Sequence, residues 1–171
     1  MPESLQNKVV LITGASSGIG RATSFALANA GANVVLFARS KEKLSTISGK
    51  LGKRALICPG DVTRQEDLKL AVQATIDRFG HIDVLFANAG VYISGKISGG
   101  DPDAWSQLVD VNVKGVFFSV DAVFPFSSSR NPVISSSAAR SPATRRSTGS
   151  RSTALRNTLF NLLYMVSGAN C

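Results

Sequence analysis

Apolar residues in this chain come in short bursts separated by longer amphipathic stretches. Lys8-Val9-Val10-Leu11-Ile12-Thr13 is a continuous apolar run of strand length, closed by glycines. Residues 22–30 read as a helix ended by Gly31, and Asn33-Val34-Val35-Leu36-Phe37 reads as a second strand. Ser40 then caps a helix carrying Leu44 and Ile47, and Ala55-Leu56-Ile57-Cys58 forms a third strand. Thr63-Arg64-Gln65-Glu66 has the form of a capping box, in which the first and last side chains satisfy free N–H groups at a helix start. Behind it Leu68, Val72, Ile76 and Phe79 recur at helical spacing up to the stop at Gly80. Ile82-Asp83-Val84-Leu85-Phe86-Ala87 is a fourth strand, and Asp101-Pro102 opens a long helix with Asp as N-cap. Strands alternating with helices of this length predict an α/β fold with a doubly wound, Rossmann-type parallel sheet.

After Pro125 the pattern dissolves. Pro132-Val133-Ile134 offers a fifth strand, residues 135–152 lack an apolar period, and residues 153–166 regain apolar residues without a clear amphipathic face. Charge changes at the same place. Up to Pro125 there are thirteen Lys/Arg against eleven Asp/Glu; from Phe126 on there are six arginines, eleven serines and no lysine or acid. The net charge of +8 therefore comes mainly from the tail. The expected division is a dinucleotide-binding domain over residues 1–125 and an aberrant Ser/Arg-rich tail over residues 126–171, with the sheet incomplete at its C-terminal end.

Composition excludes several classes. A hydrophobic fraction of 44% with 18% charged residues suits a globular protein rather than a disordered one. No apolar stretch reaches the roughly eighteen residues of a membrane span, and Met1-Pro2-Glu3-Ser4-Leu5 lacks the form of a secretory signal. Cys58 and Cys171 have neither metal-ligand spacing nor a disulfide framework, so the expectation is a cytoplasmic protein with no metal. The arginines of the tail can neutralise phosphates, but no aromatic stacking platform accompanies them, so no nucleic-acid partner is expected.

Candidate chemistry begins at Thr13-Gly14-Ala15-Ser16-Ser17-Gly18-Ile19-Gly20, between the first strand and the first helix. Glycines there let the backbone turn tightly and approach a pyrophosphate, whose charge sits on the helix N-terminus. An acid at the end of the second strand would bind the ribose 2′-OH of NAD. Here that strand ends Phe37-Ala38-Arg39-Ser40. Arg39 suits a 2′-phosphate and favours NADP, with NAD as the alternative and an ordinary surface arginine as the bland reading.

These residues resemble the short-chain dehydrogenase/reductase family. T-G-A-S-S-G-I-G matches its TGxxxGxG turn, Asp61-Val62 resembles its adenine-contacting pair, and Asn88-Ala89-Gly90 resembles its NAG motif. Asn112, in Val111-Asn112-Val113-Lys114-Gly115, matches the asparagine that kinks the long helix and holds a water in the proton relay. Residues 87–105 look most like ribitol-type polyol dehydrogenases. The resemblance implies cofactor contacts at Thr13, Gly14, Ser16, Ser17, Gly18, Ile19, Gly20, Arg39, Asp61, Val62, Asn88, Ala89 and Gly90. It also implies an NAD(P)-dependent hydride transfer to or from an alcohol or carbonyl substrate, and homo-oligomers for an intact member. Asp61 also reads as a plain turn residue and Asn112 as a buried polar residue bonding the helix backbone. His81 reads as an exposed loop residue, and Trp105 and Tyr92 as packing residues.

The resemblance then breaks. Ser136, within Ser135-Ser136-Ser137, stands where the family has its carbonyl-positioning serine. Where the family's Y-x-x-x-K pair should follow, this chain has Thr148, Gly149 or Ser150 and then Ser152, Thr153 or Ala154; no lysine follows Lys114. Without that lysine no neighbouring cation lowers a phenol from about 10 towards working pH. The family's last strands are also expected to be missing, which predicts aggregation and little or no hydride transfer. A shifted reading frame accounts for the tail. Codons built from the third base of one residue and the first two of the next permit Y-S-A-S-K-H-A-V-Q from Ser152/Thr153 onward, and Met165/Val166 must then give glycine. A one-base deletion near codons 125–130 would produce this; alternative splicing and a divergent tail remain as other origins.

Overall fold

The computed structural model describes residues 5–95, 98–126 and, as backbone, 133–136. Its elements run β1 (Val9–Thr13), α1 (Gly18–Asn29), β2 (Asn33–Ala38), α2 (Lys41–Leu51), β3 (Ala55–Pro59), α3 (Gln65–Phe79) and β4 (Val84–Ala87). A broken long helix follows, consisting of α4 (Pro102–Val109), a π turn (Asp110–Lys114) and α5 (Gly115–Val123); β5 (Val133–Ser136) comes last. The five strands pair in the order β3-β2-β1-β4-β5, all parallel. This is the doubly wound sheet expected from the apolar runs. The fifth strand, an open possibility in the sequence, pairs in register with β4, with Ser136 opposite Ala87.

Both faces of the sheet are covered at β1 and β2, which is why these two strands are almost continuously apolar rather than alternating. Val10, Ile12, Val34 and Leu36 pack with Ala28 of α1 and with Leu44 and Ile47 of α2. The opposite parity, Leu11, Val35 and Phe37, is equally buried and faces the other layer. There α3 contributes Leu68, Ala71 and Val72, and α5 contributes Val116 and Val123.

Several local readings are realised and others corrected. Ser40 Oγ accepts from the Lys43 N–H at 3.4 Å, and Asp101 Oδ1 accepts from the Asp103 N–H at 3.0 Å with Pro102 following it. The helix expected over residues 22–30 begins at Gly18, inside the glycine turn. The capping box at Thr63 does not form. Thr63 instead donates its Oγ1–H to Asp61 Oδ1 at 2.9 Å, which takes the hydroxyl away from a backbone cap, and α3 starts behind Arg64. Tyr92 and Trp105 are not packing residues. Both are exposed, as are Val109, Phe117, Phe124 and Phe126 along the broken helix.

At the N-terminal end of the sheet, Asp83 joins β1 to β4. Its Oδ2 accepts from the Val9 N–H at 2.7 Å, its Oδ1 pairs with Lys8 Nζ at 3.2 Å, and His81 Nε2 lies 3.0 Å from Oδ2. His81 thus contacts the Asp83 carboxylate rather than standing as a bare loop residue.

Candidate functional site

In this topology the chain runs outward from β1 to β3 on one side and then crosses to β4 on the other. The strand order reverses between β1 and β4, and the crevice beyond their C-terminal ends is where α/β sheets of this kind bind ligands. Thr13 closes β1 there. Its hydroxyl is buried and accepts from two backbone N–H groups, those of Asn88 and Ala89, each at 3.0 Å. Asn88 returns the clasp, its Nδ2 donating to the carbonyls of Thr13 at 3.1 Å and Gly14 at 3.4 Å. The glycine turn and the segment after β4 are therefore fastened into one rigid floor.

The glycines divide the work. Gly14 has φ +68°, and a Cβ there would come within 2.8 Å of Ala89 Cα; at Gly20 a Cβ would meet the Gly14 carbonyl oxygen at 2.4 Å and Asn88 Nδ2 at 2.6 Å. Both permit the close approach of turn, helix and clasp. Gly18, with φ +51°, differs in having nothing within 4 Å of an added Cβ. Ser17 is the N-cap of α1 but makes no side-chain cap bond, and Ser17, Gly18 and Ile19 are exposed beside the half-buried Ser16. A helix start lacking a side-chain cap, under an open glycine and over the switch point, offers free N–H groups to an anion.

Arg39 is exposed just past the end of β2. After β3, Asp61 and buried Val62 form a tight loop. The Thr63 N–H and hydroxyl both bind Asp61 Oδ1, and the Asp61 N–H donates to Asp67 Oδ2 at 3.0 Å. Gly90 is exposed on the other side of the crevice, next to Asn112, whose Oδ1 would lie 3.4 Å from an added Cβ. Asn112 lies in the π turn, and its amide bonds the chain after β4 in both directions. Oδ1 accepts from the Val91 N–H at 2.8 Å, and Nδ2 donates to the Val91 carbonyl at 2.9 Å. Its side chain thus bonds that loop, not the helix backbone. The Ser136 backbone sits beside Ala87 at the end of β4; its side chain, and the expected tyrosine and lysine positions, lie outside the described residues.

The switch-point floor with its open glycine at an uncapped helix start agrees with what most of the chain resembles. Residues 8–150 match the short chain dehydrogenase family. The chain belongs to that family. An uncharacterized oxidoreductase of Listeria monocytogenes is 45% identical over 125 residues, 71% of this chain and 50% of the relative. A 3-ketoacyl-(acyl-carrier-protein) reductase from Brucella melitensis, solved with NADH, shares 35% identity at a TM-score of 0.70, covering 72% of this chain and 51% of that one. A glucose/ribitol dehydrogenase from the same organism shares 28% identity at a TM-score of 0.75, covering 80% and 58%. The chain spans about half the length of the curated relatives it matches.

Sequence reasoning passed over Asp67, Gly115 and the Thr13 hydroxyl. Gly115 carried a signal, since a glycine inside an otherwise helical segment marks a close approach; here the approach is to Val62, whose Cγ2 would stand 2.8 Å from an added Cβ. Asp67 carried none, because an acid in the first turn of a helix is favourable anyway. Among the described residues no helix is long and apolar enough to cross a membrane.

Proposed function

We propose that this chain is the dinucleotide-binding portion of an NAD(P)-dependent oxidoreductase acting on alcohol or carbonyl substrates, that it prefers NADP to NAD, and that as it stands it transfers no hydride. The open space at Gly18 over an uncapped helix start at the switch point carries the first part, because it leaves the free N–H groups of that helix start within reach of a ligand. When bound, a nicotinamide dinucleotide supplies the hydride donor or acceptor. The residues of this chain bind and orient it. The Gly18–Gly20 turn takes the pyrophosphate, Asp61 and Val62 flank the base, and Asn88, Ala89 and Gly90 form the floor. Asn112 steadies the loop at Val91 and holds a relay water, and Ser136 positions a carbonyl.

The Brucella reductase bound to NADH supports a nicotinamide dinucleotide, and the glucose/ribitol dehydrogenase supports the polyol reading of residues 87–105. The absence of hydride transfer rests on Thr148–Ser150 and Ser152–Ala154, where neither a tyrosine nor a lysine stands. The intact glycine turn beside that gap favours a second reading, a non-catalytic nucleotide-binding protein with a regulatory role. No nucleic-acid or membrane partner belongs to either reading, and homo-oligomers belong to an intact member.

Fluorescence titration with NADPH and NADH tests the cofactor choice. Arg39 at the end of β2 is expected to favour NADPH by about tenfold or more, the value of a charge-assisted bond to phosphate. Arg39→Ala should bring the two dissociation constants together by weakening NADPH alone. Equal or tighter NADH binding by the parent chain would refute the NADP preference.

A further inference from the structure

Strands β1 and β4 flank the switch point, and the seam between them is fastened at both ends. At the C-terminal end the Thr13 hydroxyl clasps the Asn88 and Ala89 N–H groups. Three residue pairs, from Val10 with Val84 to Ile12 with Phe86, hold the middle in register. At the N-terminal end Asp83 exchanges two bonds with Val9. Its N–H donates to the Val9 carbonyl at 2.9 Å, and its Oδ2 accepts from the Val9 N–H at 2.7 Å.

Two basic side chains converge on that carboxylate from different elements. Lys8, where β1 begins, places Nζ 3.2 Å from Oδ1. His81, on the approach to β4, places Nε2 3.0 Å from Oδ2, the same oxygen that holds the Val9 N–H. Arg78, in the last turn of α3, is directed instead to the Lys53 carbonyl at 3.5 Å. Among the described residues Lys8 and His81 are thus the charges that act on Asp83. A lysine ammonium stays charged through the neutral range, whereas an imidazole ordinarily titrates near about 6.5. The carboxylate is only 11% exposed, but the His81 side chain is 41% exposed and open to protons from solvent. A protonated ring adds a charge-assisted bond to Oδ2; a neutral ring adds an ordinary one.

We propose that His81 and Asp83 form a proton-operated latch on the β1–β4 seam, closed more tightly when the imidazole carries a proton. A folded chain that binds a proton more favourably than the unfolded chain is stabilised wherever that proton is bound. The contribution of the latch is therefore full below about pH 6 and lost as pH rises towards about 8. His81 is the one histidine of the sequence, and Cys58, pushed up to about 11 by burial, titrates outside that window.

Chemical denaturation of the full chain between about pH 5.5 and 8.5 is the test. The folding equilibrium constant of the parent should fall by about two- to fivefold across that range, the value of a partly exposed pair. His81→Gln keeps a neutral donor and should stay at the parent's high-pH level throughout. His81→Lys carries its charge at every pH in the range and should hold the low-pH level. Asp83→Asn should abolish the response with His81 still in place. Where the denaturation curve is not cooperative, hydrogen exchange at the Val9 amide, corrected for its intrinsic pH dependence, reads the same latch locally and should lose protection by a similar factor. The parent's pH response persisting in His81→Gln or in Asp83→Asn overturns the inference. A parent with no response in that range, by denaturation or at the Val9 amide, overturns it as well.

Discussion

Gly18→Val is expected to remove measurable NADPH binding while the protein still folds. The substituted side chain would project into space that no protein atom occupies within 4 Å, so the core does not have to move. The left-handed φ of +51° imposes a cost of about 1–2 kcal/mol on an L side chain, small beside the stability of a domain of this size. For a ligand the same space is decisive. A branched side chain there keeps a pyrophosphate off the free N–H groups of α1, and losing two or three charge-assisted bonds predicts at least about a hundredfold weaker binding. Gly20→Val is the contrasting variant. Its Cβ would meet the Gly14 carbonyl and Asn88 Nδ2 well inside contact distance, so it should lower the melting temperature as well as the affinity. Parent-like NADPH affinity in Gly18→Val would remove the glycine turn from the binding site.

Asp83→Ala should be a costly substitution outside the site, lowering stability by about 2–3 kcal/mol. It would take away the partner of the Val9 N–H and the counter-ion of Lys8 at once, where β1 enters the sheet. The same residue sets an acid limb. Burial pushes the Asp83 carboxyl upward, but the Val9 N–H, Lys8 and His81 together outweigh it and hold the group below its usual range. A carboxyl lowered in the folded state stabilises the fold above its unfolded value of about 3.9, and that stabilisation is lost as pH falls through the lowered folded value. Chemical denaturation across pH 2–6 should therefore show stability falling below about pH 4. Asp83→Asn, which keeps an acceptor but no charge, should flatten that limb. An unchanged acid limb in Asp83→Asn would place its origin in other carboxylates.

The layout of the sheet was readable because its central strands β1 and β2 are buried on both faces and so appear as unbroken apolar runs. The Ser40 and Asp101 caps were readable because their geometry is local. The helix boundary near Thr63 was not, since it depends on a competition between Asp61 and the backbone for one hydroxyl. Tyr92 and Trp105 misled for a related reason: a large aromatic side chain suggests packing in a core, and only the neighbouring layer decides whether one exists there. In the site, the glycine turn was legible because its glycines stand between an apolar strand run and the start of a helix. The double bond from Asn112 to Val91 joins residues from separate elements, and so does the Asp67–Asp61 contact. Neither leaves a pattern along the chain.

The central claim is a chain that holds a nicotinamide dinucleotide and does not use it. NADPH fluorescence followed over time, in one sample of the full chain with an excess of a ketose, addresses both halves. The expected trace is a saturable enhancement on mixing followed by a steady signal no different from a blank without ketose. A trace without enhancement, or one that decays at a rate comparable to an intact family member, would contradict it.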